Sequence, residues 1–459
     1  MAMGEKDTMV ADENPSRSFV AGMYGVLFSS ALVQVAGLVV TTLVGIQLAR
    51  YLGPAQYGIY GIIFANVSIL AVFAQFGIPL LSTREAAGAI SARPQASLRS
   101  VTAWSLRVSI LVSSAVTAVA SAALLFWSPP WLEGRESLLG YGAAIVLVLA
   151  ILAALCGLAR GAGKNVAGQS ADLLLKPAAL SILLFVAAPS GELDLETALA
   201  VHVVATLIAI GYISILALKM YRSDPRPRLS YSPPSWTRTS MSFMSGYVMS
   251  ALNGNYPILI AGLFVSAADV GVFRVALSSA ALLGLPTAIV NIAMGPVIAK
   301  LHNAGDQRGI EQALSHSALL GFAATTIGIG VVAVAGKPLI VLLFGLDYGG
   351  AYGPLLLLGL SHLLVSAYGI VGTYLNMTGR ENLVIQAMLI SVPVGFAFSV
   401  PLTWSFGIQG AAFSNLVMVA IWHLFVVYLN GGKLGANFRL KELWHGPFRR
   451  TSDDAGSSA

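Results

Sequence analysis

Twelve apolar segments, each holding the ~20 residues needed to cross a bilayer core, leave this chain little choice of fold. Six precede and six follow the stretch KMYRSDPRPRLSYSPPSWTRT at residues 219–239, the most polar and proline-dense run between the long apolar blocks. Pro225, Pro227, Pro233 and Pro234 argue against a continuous helix there, and Lys219, Arg222, Arg226, Arg228 and Arg238 make the stretch basic. A basic, proline-broken joint between two sets of spans reads as a cytoplasmic linker between the halves of an all-α polytopic membrane protein.

Composition excludes other classes. The chain is 56% hydrophobic and 10% charged, against roughly 25% charged residues in soluble domains. Its net charge of +6 comes from short loops rather than from one face or domain, so nucleic acid is not an expected partner. The single cysteine, Cys156, lies inside an apolar run, which rules out an intrachain disulfide and a cysteine-based metal site.

Hydropathy predicts spans near residues 19–48, 56–81, 101–127, 138–159, 166–188 and 197–218, then 240–265, 271–299, 313–335, 351–375, 383–403 and 408–429. The expected organisation is a polar N-terminal tail (1–18), a six-helix lobe (19–220), the linker (221–238), a second six-helix lobe (239–429) and a C-terminal tail (430–459) whose end lacks core-forming residues. Both termini are expected inside. The inner loops then collect Arg84, Arg93, Arg99, Arg160, Lys164, the linker cluster, Lys300, Arg308 and Arg380. The outer loops hold Arg50, Arg135 and Lys337 against Glu133, Glu136, Glu192, Asp194, Glu196, Asp269 and Asp347. That asymmetry is the positive-inside pattern of a multi-pass membrane protein.

A weak internal repeat supports two like halves. AQYGIY at 55–60 and ADVGVF at 268–273 share the order small, polar, apolar, glycine, branched, aromatic. GKN at 163–165 and GREN at 379–382 fall at corresponding places on the inner side. Six spans per half give both halves the same orientation, so a pseudo-two-fold axis along the membrane normal and a central cavity are expected.

The runs LARYLGPAQYGIY (48–60), FGIP (76–79) and TRE (83–85) resemble the amino-terminal signature of Wzx-type polysaccharide or oligosaccharide flippases. LFGLDY (343–348), TGR (378–380) and GIQGA (407–411) resemble that family's second half, and the similarity runs from about Phe19 to Leu429. These motifs are turns rather than chemistry. The family shares a superfamily with multidrug extruders and with lipid II flippases, whose usual fourteen spans exceed the twelve expected here. The resemblance implies alternating-access transport of a polyprenyl-diphosphate-linked oligosaccharide for surface polysaccharide biosynthesis. Membrane lipids and other polysaccharide assembly proteins are the implied partners, with no cofactor.

Charged groups within the bilayer usually face a cavity or a partner. Asp172 and Lys176 share a helical face four residues apart, with Lys176 roughly 15 Å from the inner end of its span. They either line a cavity or neutralise each other within the bundle. Arg107 and Arg274 either face the cavity or snorkel to the inner and outer surface, respectively. Asn253 and Asn255, with Gly254 and Pro257, form a polar interruption that lines a cavity or bends the seventh span. Gln34 and Gln47 read as interhelical hydrogen-bond donors. His202, His316, His362 and His423 stand singly, so none reads as a metal ligand. Trp104, Trp127, Trp131, Trp236 and Trp404 fall near span ends, where interfacial aromatics are expected.

No enzyme is expected. GAGKN at 161–165 departs from a phosphate loop, because its first glycine is misplaced and Asn165 stands where Ser or Thr would bind magnesium. A membrane-bound polysaccharide polymerase or ligase would need a substantial outer loop, and these are short. A cation-coupled multidrug extruder shares the architecture, but Arg107, Lys176 and Arg274 outweigh Asp172 and suit an anionic cargo better.

Overall fold

The structure, a computed structural model, describes residues 15–90, 97–127, 134–188, 193–222 and 235–429. The ends of both tails, most of the linker, and Arg93, Trp131, Glu133 and Glu192 lie outside the described residues. The described chain is built of helices, nine of them long and apolar enough to cross a membrane by length and composition.

In the first half these are α1 (Pro15–Gln75), α2 (Ile78–Ala89), α3 (Leu98–Trp127), α4 (Ser137–Gly161), α5 (Asn165–Ser170), α6 (Lys176–Ala187) and α7 (Leu195–Arg222). In the second half they are α8 (Ser235–Phe264), α9 (Ala267–Leu283), α10 (Leu285–Asn303), α11 (Gln307–Phe344), α12 (Tyr352–Tyr368), α13 (Val371–Met377) and α14 (Glu381–Leu429). Two long helices are interrupted by a glycine outside helical geometry: Gly53 (φ 71°) breaks α1 and Gly407 (φ 58°) breaks α14. These positions separate the expected first and second spans and the expected eleventh and twelfth.

Several boundaries differ from expectation. Arg84 lies on α2, not in a loop, because helix resumes at Ile78 behind Gly77 (φ 67°), with Pro79 in its first turn. The second half's first helix starts at Ser235 rather than near 240, so Trp236 and Arg238 are helical. Pro233 and Pro234 immediately precede that start, as suits a residue without a backbone donor. Trp236, at the start of α8, is buried and packs edge-on against Trp104 at 5.4 Å. The two rings join a cluster with Leu81, Ala86, Leu98, Val101, Leu158 and Ala217, which seats the beginning of α8 on the first half.

The polar interruption at residues 253–257 lies within one helix: α8 runs through Asn253, Asn255 and Pro257. Asn255 Nδ2 donates to the Ala251 carbonyl at 2.9 Å, closing a local bond on the turn that Pro257 follows. The fifth span is the irregular one. A π-helical turn at Ala171–Leu175 joins α5 to α6, a wider coil frequent at functional positions. Gly37 of α1 lies against it so closely that a Cβ there would stand 2.3 Å from the Leu173 carbonyl oxygen.

The repeat turns expected on the inner side share one geometry. Gly163 (φ 77°) and Gly379 (φ 72°) both take the left-handed conformation. In each turn the following N–H bonds five residues back, Lys164 to Ala159 at 2.9 Å and Arg380 to Leu375 at 2.8 Å. This is the Schellman helix ending, and it accounts for the glycine-rich run at 161–165 without a phosphate.

Candidate functional site

The other pair of repeat turns, expected on the outer side, meets across the boundary between the halves. Gly58 on α1 and Gly271 on α9 pack directly on each other: a Cβ on Gly271 would stand 2.1 Å from the Pro54 carbonyl oxygen and 3.1 Å from the Gly58 nitrogen. A Cβ on Gly58 would overlap the Ala267 carbonyl oxygen and approach Gly271 N to 2.9 Å. No larger residue fits either position at this separation. The glycines that align in the sequence therefore form a direct backbone contact between the two halves.

Three side chains close the same end. Arg50 of α1 donates through Nε to the Leu343 carbonyl at 2.7 Å and through Nη2 to the Leu342 carbonyl. These carbonyls belong to the last turn of α11, where no helical donor remains for them and a cation is favoured. Tyr348 donates its hydroxyl to the Ala49 carbonyl at 2.7 Å and meets the Tyr57 ring edge-on at 6.4 Å.

Arg274 is the third. It lies one turn beyond Gly271, and in the repeat register its counterpart in the first half is Gly61. The arginine fills the space its glycine counterpart leaves, with Cδ 3.0 Å from where a Gly61 Cβ would stand. Its guanidinium carbon lies 5.4 Å from the centre of the Tyr57 ring, 5.3 Å from that of Tyr60 and 5.6 Å from that of Phe64. Nη1 donates to the Gly61 carbonyl at 3.4 Å. The side chain is half-buried, and its Nε is buried without a hydrogen-bond partner among the described residues. Behind the cage, Tyr60 hydroxyl and His202 Nδ1 hydrogen-bond at 2.9 Å, and the His202 ring packs 5.1 Å from Phe64.

Lys176 and Asp172 bond to one another across the π-helical turn, Nζ to Oδ1 at 2.5 Å. Both remain accessible within the span, with side chains 19% and 42% exposed. Asp172 is thus an engaged carboxylate. Arg107 is exposed on α3, away from the face that buries Thr102, Ser105, Ser109 and Ser113. Asn253 is half-buried on α8, and its Oδ1 is buried without a partner among the described residues. On α10, Asn291 accepts a hydrogen bond from the Thr373 hydroxyl at 2.6 Å, and the helix buries only Thr287, Gly295 and Ile298.

The candidates named from sequence therefore fall in separate places: Arg274 in the outer contact, Lys176 with Asp172 on the fifth span, Asn253 and Asn255 on α8, and Arg107 on α3. The hydropathy reading missed the cage residues Tyr57, Tyr60, Gly61 and Phe64, and the inter-half role of Arg50 and Tyr348. The repeat register contained part of that signal, since it pairs Gly61 with Arg274.

The comparisons with known proteins identify the family and the fold. A family model described as polysaccharide biosynthesis protein matches residues 26–302. The probable low-salt glycan biosynthesis flippase Agl15 of Haloferax volcanii is 24% identical over 381 residues, covering 81% of this chain and 76% of that protein. An inward-facing MATE family multidrug resistance transporter of the MOP superfamily superposes with a TM-score of 0.68 at 12% identity, over 89% of this chain and 98% of its own. A MOP superfamily transporter from Pyrococcus furiosus, described as having a binding pocket of reversed polarity, gives 0.63 at 12% identity, over 90% and 96%. The chain has the MOP transporter fold and belongs to the polysaccharide biosynthesis protein family.

Proposed function

We propose that this protein is a flippase, not an enzyme, and that it carries lipid-diphosphate-linked oligosaccharide units across the inner membrane by alternating access. Twelve spans in two pseudo-symmetric lobes, with both termini cytoplasmic, complete the reading. The observation that carries it is the closed contact between the halves at one end together with polar groups placed within the spans. The outer ends of the halves are zipped together by glycine contact, ring contact and hydrogen bonds. Deeper in, α8 and α10 carry half-buried polar groups within the spans, including Asn253, Asn255 and the Asn291–Thr373 pair. Polar groups at that depth are costly against lipid and useful against a hydrated sugar. A cavity between the lobes, closed at the outer end, would accommodate them.

Charge sets the cargo class. Asp172 is engaged by Lys176, which leaves it poorly suited to bind a cationic drug. Arg107 and Arg274 have no carboxylate partner among the described residues. Guanidinium and ammonium groups pair well with phosphate oxygens. An inside-negative potential favours outward movement of an anion by ~2.3 kcal/mol per charge per 100 mV. Membrane lipids and neighbouring assembly proteins complete the partners of this reading.

The test is reconstitution of the full chain in liposomes with a fluorescent polyprenyl-diphosphate sugar, read by quenching from the outer side. We expect protein-dependent flipping that accelerates with a potential of the favourable sign. Efflux of a cationic dye without flipping of the lipid would overturn the proposal in favour of an extruder.

A further inference from the structure

The bonding of Arg274 in the outer contact is strong in charge and poor in hydrogen bonds. A guanidinium has five N–H donors. Here one donates across 3.4 Å to the Gly61 carbonyl and the buried Nε donates to nothing described. The three rings of α1 hold the cation through their faces, an attraction that uses none of those donors. A phosphate engages two of them at once, with full charge. Arg50, by comparison, already has two carbonyl partners in the same contact.

The cage is also divided between the moving parts. Its rings and Gly61 belong to the first half, and Arg274 belongs to the second. Separation of the outer ends must pull the guanidinium away from the rings, so the cage is made only when the outer side is shut. The side chain is half-buried, which leaves part of it reachable.

We propose that Arg274 in its ring cage is the lock of the outer gate, and that a phosphate-bearing anion releases it by drawing the guanidinium off the rings. Cargo charge then favours opening on the side where cargo leaves. The releasing step rests on the diphosphate cargo proposed above; the lock itself does not.

The experiment uses the full chain in nanodiscs with Cys156→Ser and spin labels at Ala55→Cys and Leu346→Cys. These positions flank the Tyr57–Tyr348 contact on the two halves. Double electron–electron resonance should show a short distance. Arg274→Ala, and separately Phe64→Leu, should raise the ratio of long to short distances about tenfold, since losing a desolvated cation–π contact weakens the shut state. Arg274→Lys, which keeps the charge, should lie between. Inorganic pyrophosphate should lengthen the distance in the parent and leave the Arg274→Ala ratio unchanged. An unaltered short distance in both Arg274→Ala and Phe64→Leu overturns the lock. A pyrophosphate response that persists in Arg274→Ala, or is missing from the parent, overturns the release by anion. Failure of lipid flipping with these gate responses intact counts against the cargo and not against the lock.

Discussion

Lys176 illustrates how much one side chain in a membrane depends on its neighbour. Its ammonium bonds Asp172 at 2.5 Å within the fifth span, and removal of either partner leaves the other charged at membrane depth. Breaking a buried pair on one side costs about 3–5 kcal/mol, whereas removing both is often close to neutral. With 42% of the Asp172 side chain exposed, screening brings the cost below that range. Lys176→Ala should therefore lower the thermal midpoint and the amount of protein in the membrane, and Lys176→Ala with Asp172→Ala should recover most of the loss. A double variant no better than the single one would show that the pair does not act as a unit. The pairing was legible in sequence from the four-residue spacing. The π-helical turn between the partners was not, because a π turn leaves no mark in hydropathy or charge.

At the scale of elements, the halves are joined through a close approach of backbones, and glycine is what permits it. Gly58→Ala or Gly271→Ala would force α1 and α9 apart at the outer contact, at a cost of about 1–3 kcal/mol by overpacking. The expected result for each is a spin-label distance across the outer ends shifted toward long values with the detergent-solubilised yield retained. A short distance in both variants would mean that the contact yields elsewhere and does not set the gate. The matching turns were readable as a repeat, and so were their glycines. Their mutual contact was not, since a sequence shows that two segments are alike but not that symmetry brings them together. Residue 84 and the start of α8 were misplaced for a simpler reason. Basic residues extend helices past the bilayer core, and hydropathy marks the core rather than the helix.

For the whole molecule, the fold class was the most legible property, because apolar length and loop charge are set by the bilayer rather than by packing detail. The arrangement of polar groups was least legible. Arg274 looked like a cavity or surface residue until Tyr57, Tyr60 and Phe64 were seen around it, and aromatic residues in an apolar span give no warning of a cation from another segment. The account's central claim is that transport requires the outer ends to part. Joining Ala55→Cys to Leu346→Cys with a short, cleavable thiol cross-linker in proteoliposomes tests it, in a Cys156→Ser background. The account predicts that flipping of the lipid-diphosphate sugar stops when the link forms and returns when it is cleaved. Flipping at the unlinked rate through a completed cross-link would contradict it.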